Sequence, residues 1–117
     1  MNEYLKKEPE IRLSAQGDEG LLLEIRLTLQ DPEESGRPLQ TIADVSDERG
    51  SFLGSVSATI SVPAQAACPA VLRQTIARGP SGDHGAYRVR IIVRRGGVTL
   101  DVRESCIRLE EQGRAAI

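Results

Sequence analysis

Apolar and polar residues alternate along much of this chain, and the alternation is most regular from residue 87 to residue 94. Successive side chains of an extended backbone point to opposite faces. One face would carry Tyr87, Val89, Ile91 and Val93. The opposite face would carry Arg88, Arg90 and Arg94. A helix would scatter both sets around its circumference, so the pattern predicts a central strand against which the rest of the domain packs.

Further strands are predicted by the same alternation, separated by polar turns rich in Gly, Pro, Asp and Glu. They cover residues 10–16, 21–30, 39–45, 52–62 and 98–109. One apolar and one polar face is typical of antiparallel sheets that are solvated on one side. In the last segment the apolar positions change phase, which predicts a bulge near Glu104 and Ser105. A row of small hydroxyl side chains lies along residues 52–62, and a solvated sheet surface is favoured over a docking surface there.

A short motif leads into the central strand, because Asp83, Gly85 and Tyr87 follow the pattern D-x-G-x-Y. This pattern resembles the tyrosine corner of immunoglobulin-like and fibronectin-type sandwiches, in which a Tyr at the start of strand F hydrogen-bonds to upstream backbone. The resemblance implies an all-β antiparallel sandwich of about seven strands with immunoglobulin-like topology. Val89 stands where an antibody domain has a Cys, and the chain has no Trp. The Cys–Trp–Cys core is therefore absent, and the sandwich is a divergent one.

Two interpretations stay open for residues 69–78. Pro69 at a first helical position and Gly79 just past the end are typical of a short helix. An immunoglobulin-like topology instead requires a strand at this place. The local sequence favours the helix slightly, and the implied fold favours the strand.

The 117 residues suffice for one domain with a single core. We expect the sandwich to cover residues 10–110, with a disordered arm over residues 1–9 and a tail over residues 111–117. The two halves of the chain differ in charge: residues 1–70 carry 6 basic and 12 acidic side chains, and residues 71–117 carry 9 and 5. Such segregation can attract an anionic partner, or it can let the two halves attract each other, which is the favoured interpretation.

Cys68 and Cys106 lack the spacing of a metal site, so we expect buried free thiols, although one bridge stays open as an alternative. We expect no metal and no cofactor. No apolar run is long enough to span a membrane, and no leader pattern is present at the N-terminus. A cytoplasmic location is expected, unless the chain is a domain excised from a longer protein.

His84 is the only histidine, and as a catalytic base it would need a nucleophile and an orienting carboxylate. Its neighbour Asp83 would point away in an extended chain, so a turn residue is the favoured interpretation. No catalytic motif and no phosphate-binding loop followed by a helix occurs. We therefore expect no catalytic residues and no enzymatic activity.

The candidate binding surface is an arginine-rich hairpin formed by the last two strands. It comprises Arg88, Arg90, Arg94, Arg95 and Arg103. Guanidinium groups suit bidentate contacts with carboxylates and phosphates. A nucleic-acid partner is not expected, because interleaved aromatic residues and a basic overall charge are missing.

These observations favour a non-catalytic protein-interaction or structural module, as an accessory domain or a subunit of a larger assembly. It would bind a protein partner or associate with itself. The alternative is a ligand-binding module for an anionic small molecule or a carbohydrate.

Overall fold

The computed structural model describes residues 4–17, 20–33, 36–63, 66–77 and 86–109. Seven antiparallel strands form in this part of the chain, and no helix does. The strands are β1 (Glu10–Gln16), β2 (Gly20–Leu29), β3 (Leu39–Asp47), β4 (Phe52–Ile60), β5 (Cys68–Ala77), β6 (Ala86–Arg95) and β7 (Val98–Arg108). One sheet has the order β1-β2-β5 and the other the order β4-β3-β6-β7. The predicted all-β antiparallel sandwich is confirmed.

Strand β6 lies inside the four-stranded sheet, between β3 and β7. Its inward side chains are those that the alternation predicted, and all of them are buried in the core: Tyr87, Val89, Ile91 and Val93. Strand β2 supplies the facing row from the other sheet, namely Leu21, Leu23, Ile25, Leu27 and Leu29. At roughly 1.5–3 kcal/mol for each large aliphatic side chain, burial of these two rows is the main contribution to folding.

Residues 68–77 form strand β5, so the strand interpretation is the right one. The strand pairs with β2 over its whole length, with Leu72 opposite Ile25 and Ile76 opposite Leu21. This pairing places Leu72 and Ile76 in the core and leaves Val71 exposed. A pairing with a distant strand thus overrides the local preference for a helix. Pro69 is tolerated because β5 is an edge strand, where a missing N–H need not interrupt a ladder.

The bulge in β7 lies earlier than predicted. Val93 is opposite Asp101, whereas Arg94 is opposite Thr99, so Leu100 is the extra residue. The prediction near Glu104 and Ser105 was wrong, because that part of the ladder is continuous. The extra residue changes which side chains of β7 face the core.

The predicted disordered arm over residues 1–9 is wrong for its later part. Tyr4 and Leu5 are buried in the core. The Lys6 amide donates to the Thr28 carbonyl at 2.8 Å, and the Gln30 amide donates to the Tyr4 carbonyl at 3.0 Å. This short segment therefore continues the pairing of β1 alongside the end of β2.

Several predictions fall outside the described residues. Asp83, His84 and Gly85 are among them, so the tyrosine-corner motif stays a prediction, as do the tail over residues 111–117 and the role of His84. Both cysteines are free thiols. Cys68 is only partly buried and Cys106 is exposed, which corrects the expectation that both are buried.

Candidate functional site

Arg88, Arg90 and Arg94 lie on the outer face of β6, as the alternation predicted. Arg88 and Arg90 are exposed, and Arg94 is half-buried. Arg94 also has a structural contact, since its Nη2 donates to the Gly97 carbonyl at 3.1 Å across the β6–β7 turn. Their role in partner binding stays a prediction.

Arg95 does not belong to this surface. Its Nη2 lies 2.7 Å from Oδ2 of Asp31, and the two side chains are only 6% and 2% exposed. A second carboxylate, that of Glu33, lies 3.6 Å from Nη1. The physical reason is the strand period, because residue 95 has the same phase as Val93 and points inward.

Tyr4 completes this buried cluster from the N-terminal segment. The Arg95 guanidinium carbon lies 5.9 Å from the centroid of the Tyr4 ring, and the Tyr4 hydroxyl donates to Glu33 at 2.7 Å. Burial, followed by the bond to Glu33, raises the pKa of Tyr4 above its usual value. The close contact with the Asp31 carboxylate raises the pKa of Arg95, so this guanidinium stays charged inside the sandwich.

Arg103 is also absent from the outer face. It stands opposite Ile91 in the ladder, and therefore on the inward side of the edge strand β7. Its Nη1 lies 2.7 Å from Oε1 of Glu8, and its Nε lies 3.6 Å from Oδ1 of Asp101. The pair with Glu8 holds the N-terminal segment, residues 4–9, against β7.

Basic side chains of residues 71–117 form ion pairs with acidic side chains of residues 1–70 within the molecule. Arg95 forms ion pairs with Asp31 and Glu33, and Arg103 forms one with Glu8. Each of these ion pairs joins a basic side chain of the second half to an acidic one of the first half. The favoured interpretation, mutual attraction of the halves, agrees with these pairs. The arginines on the outer face of β6 take no part in these three ion pairs.

That face has an aliphatic row running across the sheet. Ile42 of β3, Ile92 of β6 and Val102 of β7 occupy matching positions in the two ladders, and Val102 is 49% exposed. The sequence interpretation missed this row because it followed the arginines of a single strand. The signal was present in Ile92, an aliphatic residue at an outward position between two arginines.

Charges border the aliphatic row. Asp44, Arg90 and Glu104 occupy one row of the ladder, with 3.4 Å between Arg90 Nη2 and Glu104 Oε2. Arg88 has Ser46 and Cys106 as its ladder neighbours, and the described residues give it no ion-pair partner. With Arg108 included, the described strands place four arginines and two carboxylates on the outer face of the four-stranded sheet. We call this surface the arginine face: Arg88, Arg90, Arg94, Ile42, Ile92 and Val102.

Phe52 lies at one margin of the arginine face. It begins β4, is opposite Ser46, and is 65% exposed. Along the same strand the hydroxyl side chains of Ser55, Ser57 and Thr59 are exposed, as a solvated sheet surface requires. Within the described part of the chain, no group of three His, Cys, Asp or Glu side chains is placed to hold a metal ion. No described helix is long and apolar enough to cross a membrane.

Comparison of the chain with protein-family models gives no match, and neither does comparison with curated protein sequences. Solved structures do match in fold. A beta-glucuronidase from glycoside hydrolase family 2 superposes with a TM-score of 0.74 at 10% identity, over 86% of this chain and 11% of that one. A putative beta-galactosidase from Bacteroides fragilis gives 0.68 at 11% identity, over 84% and 15%.

Two further structures extend this comparison. A beta-glycosidase from Bacteroides vulgatus gives a TM-score of 0.67 at 12% identity, over 86% of this chain and 12% of that chain. A protein from Archaeoglobus fulgidus gives 0.51 at 10% identity, over 89% and 97%. The chain thus spans only 11 to 15% of the three glycosidases, where the matched parts are β-sandwich domains. At these identities the likeness is one of fold, and the fold that this chain shares with them is the β-sandwich.

Proposed function

We propose that this chain is a non-catalytic, immunoglobulin-like interaction module that docks an acidic protein surface on the arginine face. The observation that carries the proposal is the layout of β6, where the outward Ile92 lies between Arg90 and Arg94, and Arg88 is the next outward residue beyond Arg90. An aliphatic centre with a charged border is the usual anatomy of a protein interface.

The chemistry of the border favours a carboxylate-bearing partner. Arginine forms bidentate bonds with carboxylates and is enriched among the residues that dominate binding energy. Arg88 is exposed without a carboxylate among the described residues, and Arg90 shares a single carboxylate at 3.4 Å. An incoming acidic surface would satisfy both guanidinium groups, and apolar contact with Ile92 and Val102 would add affinity.

The fold comparison supports an accessory role in a larger protein or assembly. In the three glycosidases, a similar sandwich makes up a minor part of a much longer chain. Sequence identities of 10 to 12% show a shared fold but not a shared function. We therefore extend this arrangement to the present chain as a proposal. In this role the sandwich would position a partner without taking part in chemistry.

An acidic carbohydrate is the second candidate, because a carboxylated sugar presents the same anionic group to Arg88. Sugar recognition, however, also uses aromatic stacking, and Phe52 is separated from Arg88 in the sheet by β3. Neighbouring strands lie about 4.8 Å apart, so the backbones of these two residues are roughly 10 Å apart. A titration with glucuronate, followed by NMR, discriminates the two candidates.

The test uses two matched double variants. Arg88→Glu with Arg90→Glu reverses two exposed charges on the arginine face, of which only Arg90 has an ion pair with another residue that the structure describes. The control is Arg26→Glu with Arg73→Glu on the other sheet. Among the described residues only Arg73 of these two has an ion pair, with Glu24 at 3.6 Å. Both variants change the net charge equally and disturb one exposed pair each.

Proteins retained by the wild-type chain from a lysate would be identified, purified and titrated against all three forms. We expect the arginine-face variant to raise Kd by roughly 30-fold or more, which corresponds to about 2 kcal/mol. The Kd of the control should stay within about threefold of the wild-type value, because its substitutions alter only the long-range electrostatic attraction. Equal losses in both variants would contradict the proposal, and so would a partner that binds the arginine-face variant at full strength.

A further inference from the structure

Strand β4 has an unprotected outer edge. The described sheets have four edge strands, which are β1, β5, β4 and β7. Three of them carry charged residues, and β5 also carries Pro69. Strand β4, with the sequence FLGSVSATI, has neither charge nor proline. Charges and prolines are among the features by which proteins prevent edge strands from pairing with other chains, and a bulge such as the one at the Phe52 end of β4 is another.

The geometry of β4 is regular enough for a further strand to be added. Its ladder with β3 is continuous from Gly54, opposite Val45, to Ile60, opposite Leu39, and the irregularity is confined to the Phe52 end. At Gly54 the strand passes close to Ile76 of β5, because a Cβ there would be 3.0 Å from the Ile76 Cγ2. Beyond that contact, residues 55–60 form an edge that pairs with no strand other than β3 within the part of the chain that the structure describes.

The core-facing side chains of β4 are incompletely covered. Val56, Ala58 and Ile60 point toward the core but are only partly buried. Their ladder neighbours in β3, which include Leu39 and Ala43, are fully buried. A strand added to β4 would cover the flanks of these three side chains as well as pair their backbone.

We propose that the occupant of this edge is a second copy of the chain, with β4 paired antiparallel to β4 about a two-fold axis. A two-fold contact places a surface against itself, and an uncharged strand meets no like charge in that arrangement. The hydroxyls of Ser55, Ser57 and Thr59 would then stand in rows with their own copies, where cross-strand hydrogen bonds form. The product is a continuous eight-stranded sheet that carries both arginine faces on one side.

Sedimentation of the purified chain over protein concentrations from about 1 µM to about 1 mM tests this pairing. We expect the mass to rise from 12.7 kDa toward twice that value, at low and at high salt alike, since no charge takes part. Ser57→Lys places a charge in the middle of the edge and should hold the chain as a monomer at every concentration. The control, Thr99→Lys, makes the same kind of change on the exposed edge strand β7 and should leave the dimer intact.

Each outcome decides the matter. A monomer at all concentrations overturns the proposal, and so does a dimer that survives both Ser57→Lys and Thr59→Lys.

Circular dichroism establishes that each variant is folded, and slowed amide exchange over residues 55–60 at high concentration reports the pairing independently of mutation. The Arg88→Glu and Arg90→Glu double variant should dimerise normally. If that variant alone dissociates the dimer, self-association uses the arginine face and the edge proposal is wrong.

Discussion

Arg95 and Asp31 form an ion pair within the sandwich, with 2.7 Å between Nη2 and Oδ2. Arg95 ends β6 in the four-stranded sheet, and Asp31 follows β2 of the three-stranded sheet. The pair therefore ties the two sheets together at one end of the molecule. Both side chains are removed from water, and each neutralises a charge that would otherwise be costly to bury.

Removing one partner of this pair should be strongly destabilising. Asp31→Ala leaves the Arg95 guanidinium buried, and among the described carboxylates only the half-exposed one of Glu33, at 3.6 Å, still pairs with it. We expect the free energy of unfolding to fall by about 3–5 kcal/mol in urea denaturation. The matched control is Glu104→Ala, which breaks an exposed pair and should cost about 0.2–1 kcal/mol. Similar losses for the two variants would contradict the buried role of Asp31.

Replacing both partners should be much milder than replacing one. With Asp31→Leu and Arg95→Met together, no unpaired charge stays inside, and apolar side chains of similar volume take its place. Such exchanges of buried ion pairs are often neutral or stabilising. We expect the double variant to be more stable than Asp31→Ala in the same urea experiment. A double variant less stable than Asp31→Ala would show that the pair contributes packing or specificity that the charge argument omits.

The N-terminal segment should contribute to stability through Leu5. This side chain is fully buried and pairs through its backbone with Leu29. Leu5→Ala should lower the free energy of unfolding by about 2–5 kcal/mol, the usual range for a buried leucine. Lys7→Ala, at an exposed position of the same segment, should change it by less than about 0.5 kcal/mol. A negligible effect of Leu5→Ala would mean that the segment is not docked in solution.

Tyr4 should make stability fall in alkaline solution. Its pKa is raised in the folded chain, chiefly by burial, so the folded state holds the phenol proton more tightly than the unfolded state. The contribution is therefore complete below the unfolded pKa of about 10 and is lost as the pH rises through the folded value. Thermal unfolding between about pH 8 and pH 11 should show a steeper loss for the wild type than for Tyr4→Phe. Parallel pH profiles would contradict this assignment.

The sequence predicted the inner and outer faces of β6 because period-two alternation is undisturbed there. The same period places Arg95 inside, but a charged side chain is rarely buried, and its partner Asp31 is distant in sequence. Arg103 was assigned to the wrong face because the extra residue Leu100 reverses the phase of β7. Tyr4 and Leu5 were missed since two apolar residues beside a charged segment form no periodic pattern. Each of these misses depends on a contact between distant parts of the chain.

The central claim is that the arginine face receives a partner, and a map of the contact in solution tests it most directly. Amide and methyl NMR shifts of the labelled chain would be followed while the purified partner is added. We predict that the changes concentrate on Arg88, Arg90 and Ile92, with the neighbouring Ile42 and Val102 methyl groups, and leave Arg26 and Arg73 unaffected. Changes confined to the outer face of the β1-β2-β5 sheet, with the arginine face undisturbed, would contradict the account.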